Sequence, residues 1–260
     1  AKIHYLFWGD RTKPGLFFVH GYAANAHWWD FIAPHFTDNY SVAAIDLSGM
    51  GDSEHRDSYS QSLYSLEIKS VCEEIGWNSA NFLAHSMGGP ISIKAASLYP
   101  DLFESLFLLD AVVVVPPDKA RSFSSRNSMV RNNFIYEDFN AALDSFRLIP
   151  PQPCKNEFLL KHIAEHSFKN TDEGWLLKSD ASIMRSYEYE DLTEIFMDLK
   201  CPTYLVYGLM SQILSQEILE YTTYVGNLPE ERVVGIAGAM HHIFIDEPLV
   251  FVKEIKKLLK

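Results

Sequence analysis

Asn81-Phe82-Leu83-Ala84-His85-Ser86-Met87-Gly88-Gly89 is the stretch on which the fold assignment turns. Residues 82–84 are an apolar run that predicts a buried strand, and residues 91–98 read as a helix. Ser86 lies between them, at a sharp strand-to-helix turn that exposes its hydroxyl at the edge of the sheet. Strand and helix pass close together there, so the positions two before and two after the serine must be small. They are Ala84 and Gly88, an A-x-S-x-G pattern in which alanine adds one methyl to the commoner glycine. Such a pattern also occurs as a plain turn, so its neighbours carry the argument.

Upstream, residues 3–8 predict an edge strand and residues 16–19 a buried one that runs into His20-Gly21-Tyr22-Ala23-Ala24-Asn25. Gly21 permits an unusual backbone there, and Tyr22 is placed to present its N–H to a ligand. His20 reads as a structural imidazole that orders the loop. Residues 28–36 predict a helix with an aromatic face. Residues 42–45 predict a strand that ends in Asp46-Leu47-Ser48-Gly49-Met50-Gly51-Asp52-Ser53. This segment lacks the lysine of a P-loop and the G-x-G-x-x-G spacing, so it reads as a tight turn with Asp46 accepting from backbone N–H groups. Residues 59–75 are helical, and Gly76 supplies the C-terminal cap.

Downstream, residues 105–109 predict a strand that delivers Asp110 at its end. From Pro116 to about Leu199 the chain turns helical and richer in Asn, Ser and charge. Its rings include Phe123, Phe134, Tyr136, Phe139, Phe146, Phe158, Phe168, Trp175 and Tyr187. They suit either an apolar pocket or a self-packed helical layer. We expect a helical cap inserted at 116–195, with the core formed by 1–115 and 196–260. Residues 203–207 predict a strand followed by Gly208 and Ser211, residues 214–224 a helix, and residues 232–236 the last strand. His241 and His242 follow, and a helix over 248–259 closes the chain.

The net charge of −12 argues against nucleic acid and anionic membrane surfaces as partners. Three widely spaced cysteines without a C-x-x-C suggest neither a disulfide framework nor a zinc site, and a reducing cytoplasm is the expected location. No apolar run reaches the length of a membrane span, and residues 1–20 do not read as a secretory signal.

Strands alternating with helices predict an α/β fold: a mostly parallel sheet covered on both faces, with ligands beyond the carboxyl ends of its strands. Tyr22, Ser86, Asp110, Ser211 and His241 all fall just past such ends. With His20-Gly21-Tyr22, the segment 46–53, His85-Ser86-Met87-Gly88-Gly89, and His241 seven residues before Pro248, the chain resembles a capped α/β-hydrolase. The resemblance implies Ser86 as nucleophile, His241 as base, and the N–H groups of Tyr22 and Met87 as an oxyanion hole. His242 is the competitor for the base, and spacing to Pro248 favours His241. In most such proteins the acid stands where this chain has Ser211. A minority place it one core strand earlier, at Asp110, with Glu217 and Asp246 as the remaining alternatives.

The expected activity is hydrolysis of a carboxylic ester, thioester or lactone with an apolar part, with no cofactor or metal required. A binding or signalling protein of the same fold, motivated by Ser211, and a carbon–carbon bond hydrolase are the alternatives.

Overall fold

The computed structural model describes residues 1–119 and 134–259. A seven-stranded sheet runs through its centre: β1 (Tyr5–Trp8), β2 (Gly15–Val19), β3 (Ser41–Ile45), β4 (Ala80–His85), β5 (Phe103–Leu109), β6 (Thr203–Gly208) and β7 (Val233–Ile236), in spatial order β1-β3-β2-β4-β5-β6-β7. Only β1 is antiparallel to its neighbour; the other pairs are parallel. A parallel sheet buries both faces, so its strands read as continuous apolar runs. In β2 the alternation still sorts the side chains. Phe17 and Val19 join Ile45, Phe82, Ala84 and Leu108 in one core, while Leu16 and Phe18 join Ala44, Leu83 and Leu109 in the other.

Helices α1 (Gln61–Ile75) and α2 (Gly88–Leu98) cover the first face. Ser60 caps α1 by accepting from the Leu63 N–H, and Gly76, at φ +89°, ends it as its position predicts. The second face is covered by Trp29, Phe36, Phe244 and by Phe251 of the last helix, α5 (Pro248–Leu258). The single helix expected over 28–36 is two short 3₁₀ turns, Ala26–Trp29 and Ala33–Phe36. Pro34 sits at the start of the second turn; it has no N–H to continue an α-ladder and disfavours helical backbone before it. Asp46 behaves as expected: its carboxylate accepts from the Ala26 and Asp52 N–H groups at 2.6 and 2.8 Å. A Cβ on Gly51 would lie 2.2 Å from that carboxyl carbon, so only glycine lets the turn wrap this closely.

The described part of 116–195 is not wholly helical. Beside α3 (Glu157–Ser167) it holds a hairpin of Phe168–Thr171 with Gly174–Leu177, and Tyr187–Glu188 pairs with Tyr59–Ser60 of the core. Its rings divide. Phe146 and Phe168 enter the second core, Trp175 packs against Phe139 with the rings tilted by 36°, and Tyr187 joins the first core. Phe123 lies outside the described residues. Among the described residues no helix is long and apolar enough to cross a membrane.

Candidate active site

The loops leaving the carboxyl ends of the parallel strands converge on Ser86. Ser86 follows β4 with φ +52°, and Asp110 follows β5 with φ +47°. Non-glycine residues hold such backbone only where the surroundings fix it. Here the Ser86 N–H donates to the Leu109 carbonyl at 3.1 Å, and the Asp110 N–H to that of Val206 at 2.8 Å. Gly88 explains the small-residue pattern, since a Cβ on it would meet the His20 carbonyl oxygen at 2.8 Å. A Cβ on Gly21 would lie 3.0 Å from the Ser86 Cβ.

Three side chains distant in sequence form one hydrogen-bonded line. Ser86 Oγ lies 3.0 Å from His241 Nε2, and His241 Nδ1 lies 2.9 Å from Asp110 Oδ1. Asp110 is fully buried and His241 nearly so. The carboxylate is held from a second side as well. Ser211 donates its hydroxyl to Oδ1 at 2.7 Å, and the Gly208 N–H donates to Oδ2 at 2.8 Å. Ser211 Oγ accepts in turn from the Ile213 N–H at 3.2 Å, which leaves its own proton to point at Asp110. The serine at the position expected for an acid is thus a ligand of the acid on the neighbouring strand. In the sequence alone this position shows only the lack of a carboxylate.

The other candidates are engaged elsewhere. Glu217 is exposed on α4 (Gln216–Val225) and pairs with Lys119 at 3.1 Å. Asp246 accepts from the Met240 N–H at 2.7 Å and from Gln152 Nε2 at 3.0 Å, and burial pushes its carboxyl above the usual range. Gln152 also accepts the His242 N–H at 3.2 Å, so this residue of the 116–195 stretch, missed in the sequence, braces the histidine loop. His241, not His242, is the imidazole bonded to Ser86. His20 is structural: its Nδ1–H donates to the Gly21 carbonyl at 2.7 Å, and its Nε2 accepts the Leu47 N–H at 3.1 Å.

Ser86 and His241 open into a cavity of about 260 Å³, which Tyr22 and Met87 also line. Met87 caps α2 at its N-terminus, where unsatisfied N–H groups and the helix dipole favour negative charge. The remaining wall is largely apolar, with Val112, Ile213 and Ile218 from outside residues 116–195 and Ile149, Pro150, Met184, Tyr187 and Tyr189 from within them.

The model for the alpha/beta hydrolase fold matches residues 14–148, just over half of the chain. The chain belongs to the α/β-hydrolase fold family. It is 26% identical over 286 aligned residues to epoxide hydrolase 1 of Caenorhabditis elegans, with all of this chain and 68% of that protein covered. It is 25% identical over 267 residues to esterase Rv0045c of Mycobacterium tuberculosis, with all of this chain and 87% of that protein covered. Among solved structures it resembles E-2-(acetamidomethylene)succinate hydrolase, with a TM-score of 0.84, 22% identity, and 99% of this chain and 94% of that one covered.

As an α/β-hydrolase, the chain surrounds its buried histidine with two further imidazoles. The rings of His85 and His242 lie 4.7 and 4.9 Å from that of His241. Burial first, and then the neighbouring imidazoles, hold both well below the usual histidine range. Burial lowers His20 in the same sense. A histidine with a depressed folded pKa binds its proton more readily in the unfolded chain. Its stabilising contribution is complete above about pH 6.5 and is lost as pH falls toward the folded value. His4, raised by its hydrogen bond to Asp46, acts in the opposite direction and offsets part of this. Each suppressed proton is worth about 1.4 kcal/mol per pH unit. Urea unfolding at constant ionic strength is therefore expected to give a lower stability at about pH 5.5 than at about pH 7.5. An equal stability at the two values would mean that the buried imidazoles are protonated in the native state.

Proposed function

We propose that the protein hydrolyses carboxylic esters or thioesters with a short apolar acyl group through an acyl-enzyme on Ser86. The observation that carries this reading is the line Ser86–His241–Asp110 opening directly into the apolar cavity. A serine hydroxyl attacks a carbonyl only when a base takes its proton. His241 Nε2 is within hydrogen-bonding distance for that transfer, and Asp110 on Nδ1 selects the tautomer that leaves the Nε2 lone pair free. The N–H groups of Tyr22 and Met87 stabilise the oxyanion. His241 then returns its proton to the leaving alcohol or thiol. In the second half, it takes a proton from water, the resulting hydroxide attacks the acyl carbon, and Ser86 is released with its proton restored.

In this reading residues 116–195 are the cap, which contributes Ile149, Pro150, Met184, Tyr187 and Tyr189 to the acyl pocket. The described lining includes no lysine or arginine, which favours an uncharged acyl part over a dicarboxylate. Epoxide opening on this fold needs an aspartate in place of Ser86, so the serine favours ester chemistry over the activity named for the nematode relative. The binding-protein alternative drew its motive from Ser211, and it weakens now that Ser211 is a partner of Asp110.

The test is a series of p-nitrophenyl esters, with Ser86→Ala as the blank. Each methylene that enters the pocket gains about 0.8 kcal/mol, roughly fourfold in kcat/KM. The cavity is smaller than typical drug-sized sites, so the optimum is expected at roughly four to eight acyl carbons, with a fall beyond. No Ser86-dependent rate at any chain length would overturn the ester reading.

A further inference from the structure

Away from the cavity, three histidines and an aspartate meet where α3 crosses the first 3₁₀ turn of the core. His27 lies in that turn and Asp30 just after it, while His162 and His166 stand one helical turn apart on α3. Residues four apart share a helix face. Asp30 Oδ2 accepts from His27 Nδ1 at 2.9 Å and from His162 Nε2 at 2.7 Å. The His166 ring stacks on that of His27 with centroids 3.7 Å apart. One donor atom from each of the four lies within 4.8 Å of the others, and all four residues are partly exposed, so an ion can enter from solvent.

The donor set selects the ion. Three imidazoles and one carboxylate bring nitrogen and oxygen lone pairs to one place. Magnesium and calcium demand mostly oxygen ligands, whereas zinc and similar borderline ions take nitrogen with oxygen in a tetrahedron. Zinc bonds of about 2.0–2.1 Å place ligand atoms about 3.3 Å apart. The hydrogen-bonded pairs here are a few tenths of an ångström tighter than that. Their protons would move to the other ring nitrogen as the ion takes their place.

We propose that His27, Asp30, His162 and His166 form a binding site for a zinc-class divalent ion, which ties the inserted helix α3 to the core. The same seam is already joined by Asn25, three residues past Tyr22. Its Oδ1 accepts the His27 N–H at 3.0 Å, and its Nδ2 donates to Ser167 Oγ at 3.3 Å.

The experiment is calorimetric titration of the chelator-treated full chain with Zn²⁺ alone, together with thermal melts. We expect one ion per chain at this site and a Tm raised by about 5–10 °C at a hundredfold excess over Kd. His162→Gln and Asp30→Asn should each weaken binding at least tenfold, and the rise in Tm on adding Zn²⁺, read against each variant's own metal-free melt, should shrink accordingly. His166→Asn is the substitute if either unfolds. The imidazoles of His85, His241 and His242 also cluster within 4.8 Å, so His241→Ala is the control and should keep the same Zn²⁺ affinity. The assignment fails if no Zn²⁺ binds, if binding survives His162→Gln and Asp30→Asn undiminished, or if His241→Ala abolishes it.

Discussion

Ser86→Ala is expected to lower kcat on a good ester by roughly 10⁴–10⁶-fold while leaving substrate binding nearly intact. Alanine removes only the hydroxyl. The buried strand, the positive-φ turn and the apolar wall remain, so an acyl chain still finds its pocket. What disappears is the atom proposed to form the acyl-enzyme, and no other hydroxyl is hydrogen-bonded to His241 Nε2 among the described residues. His241→Ala should cost a similar factor, because an unassisted serine is almost wholly protonated at neutral pH. The two losses should not multiply, since in the proposed mechanism both groups serve one proton transfer. The decisive measurement is a burst of p-nitrophenol in stopped flow, present in the parent chain and absent from both variants. A burst of normal amplitude in Ser86→Ala would place the nucleophile elsewhere.

The second large effect concerns the acid. Asp110→Asn should lower kcat by roughly 10²–10⁴-fold. The carboxylate accepts three hydrogen bonds, from His241, Ser211 and the Gly208 N–H. Asparagine has one oxygen for these donors, and its NH₂ must face one of them. If it turns toward His241, the ring must carry its proton on Nε2, the tautomer that cannot accept from Ser86. Ser211→Ala keeps the carboxylate and its charge and removes one charge-assisted hydrogen bond, so its cost should be about tenfold. The order parent, Ser211→Ala, Asp110→Asn is thus expected in kcat, with Ser86 labelling by a fluorophosphonate probe slowed in the same order. Unchanged turnover in Asp110→Asn would overturn its proposed role as the acid.

Much of this site was legible in the chain because its parts are local. Ala84 and Gly88 flank Ser86 as a strand-to-helix turn requires, and Gly76 ends α1 where the apolar periodicity stops. Elsewhere a local pattern was overridden. The aromatic spacing over 28–36 suits a helix, but Pro34 interrupts it. The hairpin around Gly174 carries a turn signal in Asp172-Glu173-Gly174, yet it lies in a stretch whose composition reads as helical.

The sequence by itself determined the α/β class, the serine turn and the histidine loop, because each depends on residues within a few positions of one another, and it narrowed the acid only to Asp110, Glu217 and Asp246. Tertiary structure alone decided that Ser211 holds Asp110, that Gln152 braces the histidine loop, and that His162 and His166 meet His27 and Asp30. Those partners are brought together by strand order and by the path of residues 134–195 across the sheet. Such contacts join residues about a hundred positions apart, and no local periodicity records them.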